Sequence, residues 1–166
     1  WTPSLASLAT QPLNLGLAFA SFMVAVMVGS SAFKLLTERG MIPERVLLGA
    51  LALATASLGV AALKVRLPVL LLAFVVFEAV VGVYFPAIGL LRAKYIPEGV
   101  RATVMNIFRI LLNLIVVIML VGPVGADCSM DMKRPIIFTI GAGGLALASF
   151  FQWMCLKHCQ SLQPLL

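Results

Sequence analysis

Long uncharged, apolar stretches separated by short charged punctuation set the pattern of this chain. No Asp, Glu, Lys or Arg occurs in residues 1–33, 46–63, 67–77, 79–91, 110–126 or 135–156. A helix crosses the hydrocarbon of a bilayer with about 20 apolar residues. Two joins are needed to reach that length throughout. One links the runs on either side of Glu78, and the other carries the run at Ile110 back through Arg109 to Ala102. Five spans are then predicted, near 13–35, 46–64, 67–92, 102–125 and 135–156, in one transmembrane domain over 1–166. Strands do not fit, because barrel strands alternate apolar and polar positions, whereas "LLGALALATASLGVAAL" is apolar on every face. A soluble bundle would need amphipathic helices to cover its core, and none is left over. The fold class expected is an all-α, multi-pass integral membrane protein.

Composition agrees. The chain is 62% hydrophobic and 11% charged, against about a quarter charged in soluble domains. The net charge of +6 does not imply nucleic-acid binding, because the basic residues sit at span ends, where juxtamembrane charge belongs. Segments 34–45 and 92–101 and the tail carry Lys34, Arg39, Arg45, Arg92, Lys94, Arg101 and Lys157. The opposite side has Lys64, Arg66, Lys133 and Arg134. Seven against four places the first group in the cytoplasm. Cys128 is alone in its loop, and Cys155 and Cys159, one turn apart at the membrane edge, are incidental small residues or sites of S-acylation. No cysteine pair forms a framework, and His158 has no companion ligand. Neither an enzyme, a metal nor a cofactor is expected. The chain starts at Trp1 without a signal-peptide pattern, which reads as a processed chain or a fragment.

The second and fifth spans are the blandest. They hold no ionisable group, and small residues recur four apart, as in Ala52/Ala56, Ala142/Ala146 and Gly144/Ala148. Such spacing lets helices approach closely in lipid, so these spans read as structural or lipid-facing supports.

The third and fourth spans differ. Glu78, Gly82, Phe85 and Gly89 follow one another at spacings of 4, 3 and 4, which is one helix face. Pro86 lies in the same helix and frees a carbonyl near Gly82. Freed backbone groups at membrane depth need protein or water beside them. Two readings fit Glu78: a substrate or proton site facing a cavity, or a protonated carboxyl hydrogen-bonded to a neighbouring helix. On the fourth span Thr103, Asn106, Arg109 and Asn113 share about a third of the circumference. Arg109 either snorkels to the interface or faces inward, to an oxyanion or to Glu78. Its guanidinium is the side chain best shaped for bidentate oxyanion binding. Asn106 and Asn113 read as interhelical hydrogen-bond glue or as ligands.

The stretch "GVYFPAIGLLRAKYIPEGVRATVMNIFRILLN" resembles the molybdate-anion transporter branch of the major facilitator superfamily, where it joins the tenth and eleventh helices. The matching positions are Gly82, Tyr84-Phe85-Pro86, Leu91-Arg92, Ile96-Pro97-Glu98, Asn106, Phe108-Arg109 and Asn113. "WTP" at residues 1–3 is similar to the end of that family's seventh helix, and "GSS" at 29–31 to the end of its eighth. Two positions depart from the family pattern: Leu111 stands where a proline is usual, and Phe33 where an acid is common. The resemblance covers only the C-terminal half of a family member. It implies that the five spans are helices eight to twelve of a secondary transporter for molybdate or a related oxyanion, working by alternating access. It implies substrate contact by Arg109, Glu78, Asn106, Asn113 and Tyr84, with Gly82, Pro86 and Gly89 serving packing or a kink. The expected partners are the missing N-terminal half or other subunits, the bilayer and the oxyanion. A second reading makes the chain a non-transporting accessory subunit of a larger membrane complex.

Overall fold

A computed structural model describes residues 2–6, 14–63, 65–119, 121 and 130–162. These residues form α1 (Thr2–Ala6), α2 (Leu15–Glu38), α3 (Pro43–Ala62), α4 (Leu67–Tyr95), α5 (Glu98–Met119) and α6 (Met130–Leu162). There is no strand among them. The helices α2 to α5, together with Pro135–His158 of α6, are long and apolar enough to cross a membrane. The protein is an all-α, multi-pass integral membrane protein. Helix boundaries follow local chemistry. The Asn14 Oδ1 accepts from the Leu17 amide and caps α2. Gly40, at φ +83°, takes the left-handed conformation that lets the chain turn between α2 and α3. Prolines stand in the first turns of α3 and α4, where the missing N–H leaves no hydrogen bond unmade.

Four helices pack in a row, α2 on α4, α4 on α3 and α3 on α6. α2 and α4 run the same way, with Phe22 against Phe74 near one end and Phe33 against Ala87 and Leu91 near the other. They touch backbone to backbone at two reciprocal notches. A Cβ at Gly29 would strike the Ala79 carbonyl, and one at Gly82 would strike the Val26 carbonyl. Glycine is required at both, and the close approach it permits replaces the hydrophobic drive that lipid does not supply.

α3 is the centre of this row, packed on α4 and on α6, while Ala52, Leu53 and Ala56 leave one face of it exposed. The small residues it buries are Ala50, Ala54, Ser57 and Ala61. The pair picked out by spacing, Ala52 and Ala56, is exposed. In a span that is apolar all round, spacing shows that a close approach is possible without showing which side makes it. α1 is short, yet its Leu5 is fully buried among Phe22, Ala61, Leu70 and Phe74. α5 stands outside the row. It has no buried residue, and its Phe108 reaches a cleft lined by α3, α4 and α6.

Candidate functional site

The sequence candidates fall on two separate surfaces. The first is on α4. Gly82 is taken up by the α2 contact, whereas a Cβ at Gly89 would meet only open space. Glu78 is half-buried, Phe85 is 64% exposed and Gly89 is exposed. The stripe read as a single face therefore divides: its Gly82 edge packs against α2, and Glu78, Phe85 and Gly89 lie on a strip that no helix of the described residues covers. Glu78 has neither a hydrogen bond nor an ion pair among the described residues. Pro86 lies inside α4 and has no N–H to give the Gly82 carbonyl. Tyr84 and Phe85 both line an apolar cleft of about 830 Å³ walled by α3, α4 and α6, so the strip borders that cleft. The Tyr84 ring meets Phe85 edge-on, with centroids 5.8 Å apart.

The second surface is the polar arc of α5. Phe108 reaches the rim of the apolar cleft and marks the side of α5 that faces the bundle. Asn106, Arg109 and Asn113 lie about 100–160° round the helix from Phe108, at ~100° per residue. All three are exposed. The arc therefore lies on another side of α5 from Phe108, in a helix with no buried residue on any side. Arg109 and Glu78 do not pair; the ion pairs among the described residues are Lys34–Glu38 and Lys94–Glu44.

One polar cluster escaped the sequence reading because it joins residues far apart in the chain. Glu44, in the first turn of α3, is only 6% exposed. Its Oε1 accepts from the Lys94 Nζ at 2.6 Å and from the Tyr95 hydroxyl at 2.8 Å. The Glu44 backbone carbonyl accepts from the Gln152 Nε2 at 3.2 Å. The start of α3, the end of α4 and the C-terminal part of α6 are thus tied together at one end of the bundle. An acid in the first turn of one span and a Lys-Tyr pair at the end of the next were the available signals. Cys155 is exposed. Lys64 and Cys128 lie outside the described residues, as do the side chains of Lys133, Arg134 and Cys159. No group of three or more His, Cys, Asp or Glu able to hold a metal occurs among the described residues.

Comparison with known proteins supplies the relationship. A protein named molybdate-anion transporter from Xenopus tropicalis is 39% identical over 124 residues, which cover 69% of this chain and 26% of the relative. The protein of that name from Xenopus laevis gives the same identity and coverage. The one from Takifugu rubripes is 35% identical over 122 residues, 69% of this chain and 25% of the relative. The chain thus spans about a quarter of the length of the curated relatives it matches. Neither a protein-family model nor a solved structure matches it.

Proposed function

This chain belongs to the molybdate-anion transporter family, and we propose that it forms the C-terminal half of a secondary transporter that moves molybdate or a related oxyanion by alternating access. The observation that carries this reading is the orientation of α5. A membrane-spanning helix exposes Asn106, Arg109 and Asn113 on another side from Phe108, which reaches the cleft of its own bundle. An arginine and two amides at that depth are expensive against lipid and mark a pathway or a partner. The covering surface comes from the rest of the transporter, and the substrate path runs between the two halves, near the midplane, as in transporters built from repeats.

In this reading Arg109 supplies positive charge and a planar pair of donors to a tetrahedral oxyanion. Asn106 and Asn113 donate beside it. Glu78, on the uncovered strip of α4 with Gly89, carries or gates the coupled proton. Tyr84 borders that strip from the cleft side. The reciprocal glycine contacts of α2 and α4, with the Glu44 cluster, hold α2, α4, α3 and α6 as one body that rocks as a unit. Such a protein binds and moves its substrate and does no bond chemistry on it.

Uptake of molybdate into vesicles containing the intact transporter tests the proposal, with protein abundance measured alongside. Arg109→Lys keeps the charge but loses the fork, so uptake should fall at least tenfold, about 1.4 kcal/mol, at unchanged abundance. Glu78→Gln should abolish proton-driven uptake while leaving exchange of bound anion. Normal uptake by both variants would sink the site.

A further inference from the structure

We propose that the apolar cleft between α3, α4 and α6 is a binding site for one acyl chain of an anionic phospholipid, whose phosphate sits against Lys157. The cleft holds about 830 Å³, within the ~300–1,000 Å³ of sites that take small ligands. Its walls are aliphatic and aromatic, including Ala54, Phe77, Leu145 and Phe151, with Gln152 and Cys155 at one end. That end lies at headgroup depth, because Gln152 is bonded to Glu44 in the polar cluster that closes the bundle there. From that level the cleft runs inward along α3 and α4 to Ala54 and Phe77. An acyl chain hanging from a headgroup has this course.

The mouth is basic. A second, shallower hollow of about 560 Å³ shares Cys155 with the cleft and is lined by Met154, Lys157 and His158. The Lys157 Nζ lies 4.0 Å from the centre of the Trp153 ring, a cation–π contact that fixes the ammonium beside the hollow. Trp153 and Phe150, 6.1 Å apart, form an aromatic edge of the kind found where hydrocarbon gives way to headgroups. At this end of the bundle Glu38 and Glu44 are held by Lys34 and Lys94. Among the remaining charged side chains of segments 34–45 and 92–101 and the tail, Arg39, Arg45, Arg92, Arg101 and Lys157 outnumber Glu98. A zwitterionic lipid would bring its own cation into that field, whereas an anionic one complements it. The site uses neither Arg109 nor Glu78, and it shares with the proposed oxyanion path only the wall formed by Tyr84 and Phe85.

The test uses the full-length protein in nanodiscs with two photoactivatable phospholipids. Both carry a diazirine on the acyl chain, and one has a phosphatidylglycerol and the other a phosphatidylcholine headgroup. Crosslinks are mapped by peptide mass spectrometry. The anionic probe should label the peptides around Phe77 and Phe151 in preference to the choline probe. Lys157→Gln should cut that labelling about fivefold, the change given by ~1 kcal/mol per basic residue near an anionic surface. Ala148→Trp, which fills the cleft from an exposed position, should remove it, and Cys155→Phe provides a second filler if the first misfolds. Equal labelling by both headgroups, unaffected by Lys157→Gln, would mean bulk bilayer contact and overturn the site. Absence of label in the cleft would mean that protein covers it, and would overturn it equally.

Discussion

The α3–α4 end of the bundle and the α5 helix both place charge at or within the membrane, and they treat it in opposite ways. Glu44 is buried, with its Oε1 accepting from Lys94 and Tyr95 and its backbone carbonyl from Gln152. Arg109 is exposed, and neither it nor its neighbours Asn106 and Asn113 engages the rest of the described bundle. At the α3–α4 joint the polar groups are satisfied internally, as a medium without water demands. The difference sets a packed joint at one end against the surface of α5 that the proposed function assigns to substrate.

The sharpest break of this comparison is at the glycines. Gly82→Val forces a side chain into the Val26 carbonyl. Backbone on both sides cannot yield as a flexible side chain would. A loss of about 3 kcal/mol is expected, seen as collapse of the monodisperse peak in fluorescence-detected size exclusion. Gly29→Val, aimed at the Ala79 carbonyl, should behave alike. Gly89→Ala enters open space on the uncovered strip and should leave the peak unchanged. If Gly89→Ala proves as damaging as Gly82→Val, the division of that stripe is wrong.

A smaller effect is expected at the joint. Glu44→Ala removes the acceptor from two donors at once and should lower stability by about 1–2 kcal/mol. Lys94 is half exposed, so water recovers part of the loss. Thermal melting of Glu44→Ala, Lys94→Met and the double variant gives the coupling energy directly. A coupling near zero would reduce the joint to two unrelated surface groups.

On stability, Arg109→Ala should have the least effect of the three, within about 0.5 kcal/mol in melting of the isolated chain, since it engages none of the bundle. The same substitution should be far more damaging in the intact transporter, where the covering half is present. A large loss in the isolated chain would show that α5 belongs to the packed row.

Hydropathy alone determined that this chain is an all-α membrane protein, with five helices among the described residues long and apolar enough to cross a bilayer. That property is summed along a single helix and requires no knowledge of its neighbours. The residues that cannot face lipid freely, Glu78, Arg109, Asn106 and Asn113, were legible for the same reason. Their facing was not. Gly82 and Gly89 lie on one stripe by spacing, yet only Gly82 meets another backbone. Ala52/Ala56 and Ala50/Ala54 have the same spacing in the same helix, and only the second pair is buried. The Glu44 cluster spans up to 108 positions of sequence, beyond the reach of any local pattern. In water an apolar stripe shows which side of a helix is buried. In lipid both sides are apolar, and packing of one helix on another makes the choice, so only the tertiary structure decided it.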